Sequence, residues 1–105
     1  MRFIDIGVVD DVLLHTLMSD PDPQPRVQAV YAVSFRVPTG SLISGLEDSL
    51  RDTSRAVRSS ALQVLWRNHF RFPSSITAVK ELSYNDPDPE LRKQALTLLE
   101  NLSQK

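Results

Sequence analysis

Apolar residues in this chain recur three and four positions apart, the spacing of one face of a helix, and nowhere alternate as in a half-buried strand. Val9, Leu13, Leu14, Leu17 and Met18 predict a helix from Val8 to Met18, with Asp10 and Asp11 in its first turn. Ser19-Asp20-Pro21-Asp22-Pro23 stops it, because proline removes a donor and restricts its predecessor. The second helix is predicted from Pro23 to about Phe35, with Asp22 as N-cap and Pro23 at the first helical position. Pro25 is tolerable there, since its N–H would have no intrahelical partner. After Val37-Pro38-Thr39-Gly40 a third helix, Ser41 to about Leu50, carries Leu42, Ile43, Leu46 and Leu50 on one side. Gly45 is either a weak spot in it or a place of close helix contact. The fourth helix occupies about residues 55–70, capped by Ser54, and Phe72-Pro73-Ser74 breaks it. The fifth, about Ser75 to Tyr84, presents Ile76, Val79 and Leu82; the sixth runs from Pro89 to about Leu102, with Asp88 as its cap. Residues 1–7 suggest a capping turn or an extra half-helix, and residues 103–105 a fraying tail.

A second pattern is laid over the first. An aspartate, an arginine six residues on and an alanine three further recur as Asp20/Arg26/Ala29, Asp52/Arg58/Ala61 and Asp86/Arg92/Ala95, at steps of 32 and 34 residues. A period in the thirties with two helices per unit predicts an α-solenoid, in which each pair buries its apolar face against its neighbours. The units span about residues 8–37, 39–71 and 73–102 of a single domain. Counted from each arginine, positions −1, +3, +4, +6 and +7 are mostly aliphatic: Pro25/Val57/Leu91, Ala29/Ala61/Ala95, Val30/Leu62/Leu96, Ala32/Val64/Leu98 and Val33/Leu65/Leu99. At about 100° per residue they form one broad face. The shared alanine lets neighbouring helices approach, and the arginine at the edge of the face can pack its stem and reach an aspartate with its head.

These residues resemble the HEAT repeat, and in particular the short HEAT-like repeats of phycocyanobilin-lyase-type proteins, over about residues 8–102. The resemblance implies a right-handed α-solenoid of three pairs, six helices in all, used as a scaffold. It also implies a hydrogen-bonded ladder between repeats made by Asp20, Asp52 and Asp86 with Arg26, Arg58 and Arg92. The proline that many such repeats carry inside the first helix is missing here, which bears on the bend of those helices.

Composition adds little to this picture. The chain has 105 residues, 41% hydrophobic and 24% charged, with net charge −1, so no global field draws it to nucleic acid or anionic membrane. With no cysteine, disulfides and thiolate metal sites are excluded. No apolar run has the length of a bilayer span, and Asp5, Asp10 and Asp11 stand where a signal peptide needs an apolar stretch. A cytoplasmic protein, or a piece of a longer one, is the expectation.

Candidate chemistry is sparse. The only histidines, His15 and His69, belong to no metal-spaced pair. Ser41 and Ser44 beside Gly40 and Gly45 only imitate a nucleophile elbow, without a strand before them. The Asp20-Pro-Asp-Pro and Asp86-Pro-Asp-Pro turns could ligate calcium, but they lack the glycine and terminal glutamate of an EF-hand, and helix capping explains them better. No enzyme activity, cofactor or metal is expected.

What is left is a surface. Positions +1, +5 and +8 of the second helices are Val27/Tyr31/Ser34, Ser59/Gln63/Trp66 and Lys93/Thr97/Glu100, and in the resembling family the second helices line the partner-binding concave side. Tyr31, Gln63, Trp66 and Arg67 are therefore the candidate partner-binding residues, for an unidentified protein or peptide. The competing reading of Trp66 is ordinary packing on the Phe70/Phe72 corner. Two further functions are weighed. One is an accessory or chaperone-like role related to the bilin lyases, as the resemblance implies. The other, the minority reading, is binding of nucleic acid or another anion by Arg51, Arg55, Arg58, Arg67 and Arg71, interleaved with His69 and aromatics. Either end of a three-unit stack could also pair with another copy, with the Phe3/Ile4/Ile6 cluster making the first end the better candidate.

Overall fold

Proline-led turns do most of the work of placing the helices. The computed structural model describes residues 6–35, 39–67 and 73–103, with the side chains of 12–35, 39–67 and 73–102. Among the described residues there are six helices and no strand: α1 (Ile6–Ser19), α2 (Pro23–Val33), α3 (Gly40–Ser49), α4 (Arg55–Arg67), α5 (Pro73–Asn85) and α6 (Pro89–Ser103). The expectations for Phe3 and Ile4, for the break at 36–38, for the tail at 104–105 and for His69, Phe70, Arg71 and Phe72 lie outside the described residues.

Asp22 caps α2 as the spacing predicts, its Oδ1 accepting from Gln24 N at 3.0 Å, and Asp88 does the same for α6 through Glu90 N at 2.8 Å. At Ser54 the main-chain carbonyl takes the first bond of α4, from Arg58 N at 3.1 Å. Several boundaries differ from those predicted. Helix α1 starts at Ile6, so Asp10 and Asp11 fall beyond its first turn. Helix α3 is capped by Thr39, whose Oγ1 accepts from Leu42 N at 3.2 Å. Pro73, expected only as a breaker after α4, is also the first residue of α5, since the first helical position has no use for a backbone donor.

Helices pack within each successive pair, α1 on α2, α3 on α4 and α5 on α6. They also pack between pairs in matching order, α1 on α3 and α3 on α5, α2 on α4 and α4 on α6. The molecule measures 48 × 32 × 17 Å, long in one direction and little more than a helix pair across in the shortest. Its core runs through the middle pair: Leu42, Leu46, Val57, Ala61, Leu62 and Leu65 are all buried, with Val30, Val33, Val79, Leu91 and Ala95 closing it on either side.

Small residues of two kinds, a glycine and the repeat alanines, set the approach of neighbouring helices. Gly45 of α3 faces α1 so closely that a Cβ there would stand 2.8 Å from Leu14 Cδ2, so the glycine marks a close contact, at a cost in helix propensity of about 1 kcal/mol. The alanines at +3 are all buried, Ala61 and Ala95 fully so. Ala95→Leu is expected to overpack the α5–α6 contact and lower stability by about 1–3 kcal/mol, read as a shift of the urea midpoint with an unchanged slope.

One aliphatic position departs from the predicted face. At +4, Val30 and Leu62 are buried whereas Leu96 is 50% exposed. That position points toward the following pair, and α6 has none after it among the described residues.

Candidate functional site

The turns build the first constellation. Each repeat aspartate folds its own turn: Asp20, Asp52 and Asp86 accept through Oδ1 from the main-chain N–H two residues on, at 2.9, 2.8 and 2.8 Å. Each arginine donates through Nη1 to the main-chain carbonyl of its own repeat aspartate, at 2.5, 2.9 and 2.5 Å for Arg26, Arg58 and Arg92. The rest of the guanidinium fork reaches forward one unit. Arg26 donates to both Asp52 oxygens, Nε to Oδ2 and Nη2 to Oδ1, each at 3.0 Å. Arg58 does the same to Asp86, at 2.8 and 3.5 Å. These rungs are largely shielded from solvent: Arg58 and Asp86 side chains are 10% and 2% exposed. The bidentate geometry matches a planar cation to a planar anion, which lysine would not do.

Further ties cross from the middle pair to the last. Glu47 accepts from the Ser74 and Ser75 hydroxyls at 2.7 Å each, and Arg51 donates to Glu81 at 2.5 Å. Arg55 pairs with Asp88, and this guanidinium, followed by the Glu90 N–H, holds the Asp88 carboxyl below the usual aspartate range. Of the five arginines considered for an anion patch, Arg51, Arg55 and Arg58 are thus each engaged with a carboxylate, and Arg71 lies outside the described residues. The Asp-Pro-Asp-Pro carboxylates are likewise engaged, with backbone N–H groups and arginines. No group of three or more potential metal ligands gathers among the described residues, and His15 is exposed.

The second constellation lies on the outer side of α4. Gln63 and Arg67, one turn apart and both exposed, form a ridge with a groove on each flank. Between α4 and α6 the groove is about 600 Å³, with Leu62, Trp66 and Leu98 as its apolar lining and Gln63, Arg67, Glu90 and Lys93 among its polar edge. Between α4 and α2 a smaller groove of about 350 Å³ is lined by Tyr31, Ser34, Phe35 and Val64 together with the same Gln63 and Arg67. All four candidate residues therefore border this double groove. Their exposures differ from a simple outward face: Tyr31 is 41% exposed, while Trp66, expected outward, is only 8% exposed. It is packed into the wall and lines the larger groove with the small part of its surface left open. Phe70 and Phe72, the alternative packing partners, are outside the described residues.

Sequence reasoning missed Phe35, 88% exposed at the mouth of the smaller groove, because it was read only as the end of α2. Lys93 and Thr97, which the spacing sets on the outward face of α6, make the far wall of the larger groove together with Leu98, a residue the spacing assigns to the apolar face. The ties of Arg51 to Glu81 and of Arg55 to Asp88 carried a signal: opposite charges 30 and 33 residues apart, close to the repeat step.

No family model, no curated protein and no solved structure matches the chain. No helix among the described residues is long and apolar enough to cross a membrane.

Proposed function

We propose that the chain is a short α-solenoid of three HEAT-like pairs, wound right-handed, and that it acts as a non-catalytic interaction module. It takes a protein or peptide segment on the side of the second helices, which we read as concave. One observation carries this reading: the groove between α4 and α6, about 600 Å³ with an apolar lining of Leu62, Trp66 and Leu98 inside a polar edge. A groove that apolar inside and polar at the edge suits an anchor side chain seated in the middle and main-chain or charged groups at the margin. Tyr31, Gln63 and Arg67 extend the contact over the α4 ridge into the second groove. The turn-to-turn arginine rungs then have a supporting role, holding α4 and α6 at the separation the groove needs.

Trp66 is the only tryptophan, so its fluorescence reports on the groove directly. The test is a displayed-peptide library panned on the full chain, with the selected peptides then titrated against Thr97→Trp, which fills the groove from an exposed position. Selected peptides are expected to carry an aromatic or long aliphatic anchor, to change Trp66 emission on titration, and to lose at least about tenfold in affinity on Arg67→Glu. Peptides that bind the Thr97→Trp variant as well as the parent would reject this site.

A further inference from the structure

The rungs do not stop evenly. Within the chain, every arginine that has a following unit clips that unit's turn aspartate, as Arg26 does Asp52 and Arg58 does Asp86. At the two ends one half of a rung is left over. Arg92 is half-buried and holds the Asp86 carbonyl through Nη1, but no carboxylate among the described residues meets its Nε and Nη2. Asp20 is folded onto the Asp22 N–H through Oδ1, but no arginine among the described residues meets its carboxylate. The trailing end is apolar beside its open guanidinium. Leu96 is 50% and Tyr84 80% exposed, and both stand where the middle unit has buried leucines, Leu62 and Leu50, turned toward the next pair.

From these two complementary half-rungs we infer that copies of this chain associate head to tail, Arg92 of one clipping Asp20 of the next. The occupant of the trailing face is thus a second copy, chosen by charge and by repetition of a contact the chain already makes twice. The junction reproduces the α3·α5 and α4·α6 packing, with Tyr84 and Leu96 covered as Leu50 and Leu62 are. The contact is heterologous, so it leaves the same pair of ends open after each addition and builds open chains or closed rings rather than symmetric dimers. It uses the ends of the stack and leaves the α4–α6 groove free, so it does not depend on the groove reading.

Sedimentation velocity of the full chain from micromolar to millimolar concentration tests this. The weight-average mass is expected to rise progressively past the dimer. Arg92→Glu and Asp20→Lys are each expected to weaken end-to-end association at least about tenfold, since each sets like charges together. Mixing the two variants restores growth, because each junction in the alternating chain is again oppositely charged. Asp20→Asn keeps the turn acceptor and removes only the charge, so it separates loss of association from loss of the turn; circular dichroism melts confirm folding of all variants. Thr97→Trp is expected to assemble like the parent. A chain that stays monomeric throughout would overturn the inference. So would growth indifferent to both charge reversals, or growth that the mixture fails to restore.

Discussion

Asp86→Ala is expected to cost about 3–5 kcal/mol of unfolding free energy, the largest effect of any single substitution considered, because it strands a buried guanidinium. The Asp86 side chain is 2% exposed, and its two oxygens serve three donors: Nε and Nη2 of Arg58, and the Asp88 N–H. Removing it leaves Arg58 desolvated with only the carbonyls of Asp52 and Thr53 to hold. The turn before α6 also loses the bond that shapes it. Asp20→Ala removes the same atoms from the same place in the first unit, but in the monomer no guanidinium among the described residues is left behind there; its cost should be that of a turn bond alone, about 1 kcal/mol. Chemical denaturation followed by circular dichroism separates the two. The pair Arg58→Met with Asp86→Leu should recover most of the loss, since an apolar pair replaces ions whose desolvation offsets their attraction. Equal costs at Asp20 and Asp86 would show that the rungs contribute nothing beyond the turns.

Leu62→Ala is expected to lose about 2–5 kcal/mol, the range for emptying a buried leucine site. Leu62 is 1% exposed between α4 and α6, and it also lines the larger groove, where water can partly fill the space, so the lower half of that range applies. Leu96 stands at the same repeat position one unit on, and in the monomer, at concentrations too low for end-to-end association, its truncation should cost well under about 1 kcal/mol, since half of its surface is wet there. The comparison holds residue type and register fixed and varies only the presence of a following pair among the described residues. Matching losses at Leu62 and Leu96 would mean that the trailing face is covered in solution.

Helix number and order were legible because each level of the sequence agreed with the next: caps at Asp22 and Asp88, prolines at first helical positions, and apolar residues in phase with them. Boundaries were less so where one residue type has two meanings. Pro73 reads as a stop and serves as a start, and Thr39 sits in a stretch that looks like pure loop. The groove was legible in part. Helical phase sets Gln63 off the apolar face, and it is the family resemblance that singles out that side of α4; the structure puts Arg67 one turn on from Gln63 along the same ridge. That Trp66 would turn inward depends on the distance between α4 and α6, a tertiary quantity that no single helix encodes. Leu96 misled for a related reason: periodicity tells which side of a helix is apolar, but not whether anything lies against it.

The carboxylates of Asp52 and Asp86 each belong to two structures at once, the turn that follows them and the guanidinium that precedes them. A turn that opens locally must therefore withdraw its anion from the neighbouring unit, so opening spreads along the chain instead of staying where it began. Amide hydrogens of the turns at 52–54 and 86–88 should then exchange with a shared opening free energy, close to that of α4. The turn at 20–22, which answers to no preceding arginine among the described residues, is expected to exchange independently and sooner.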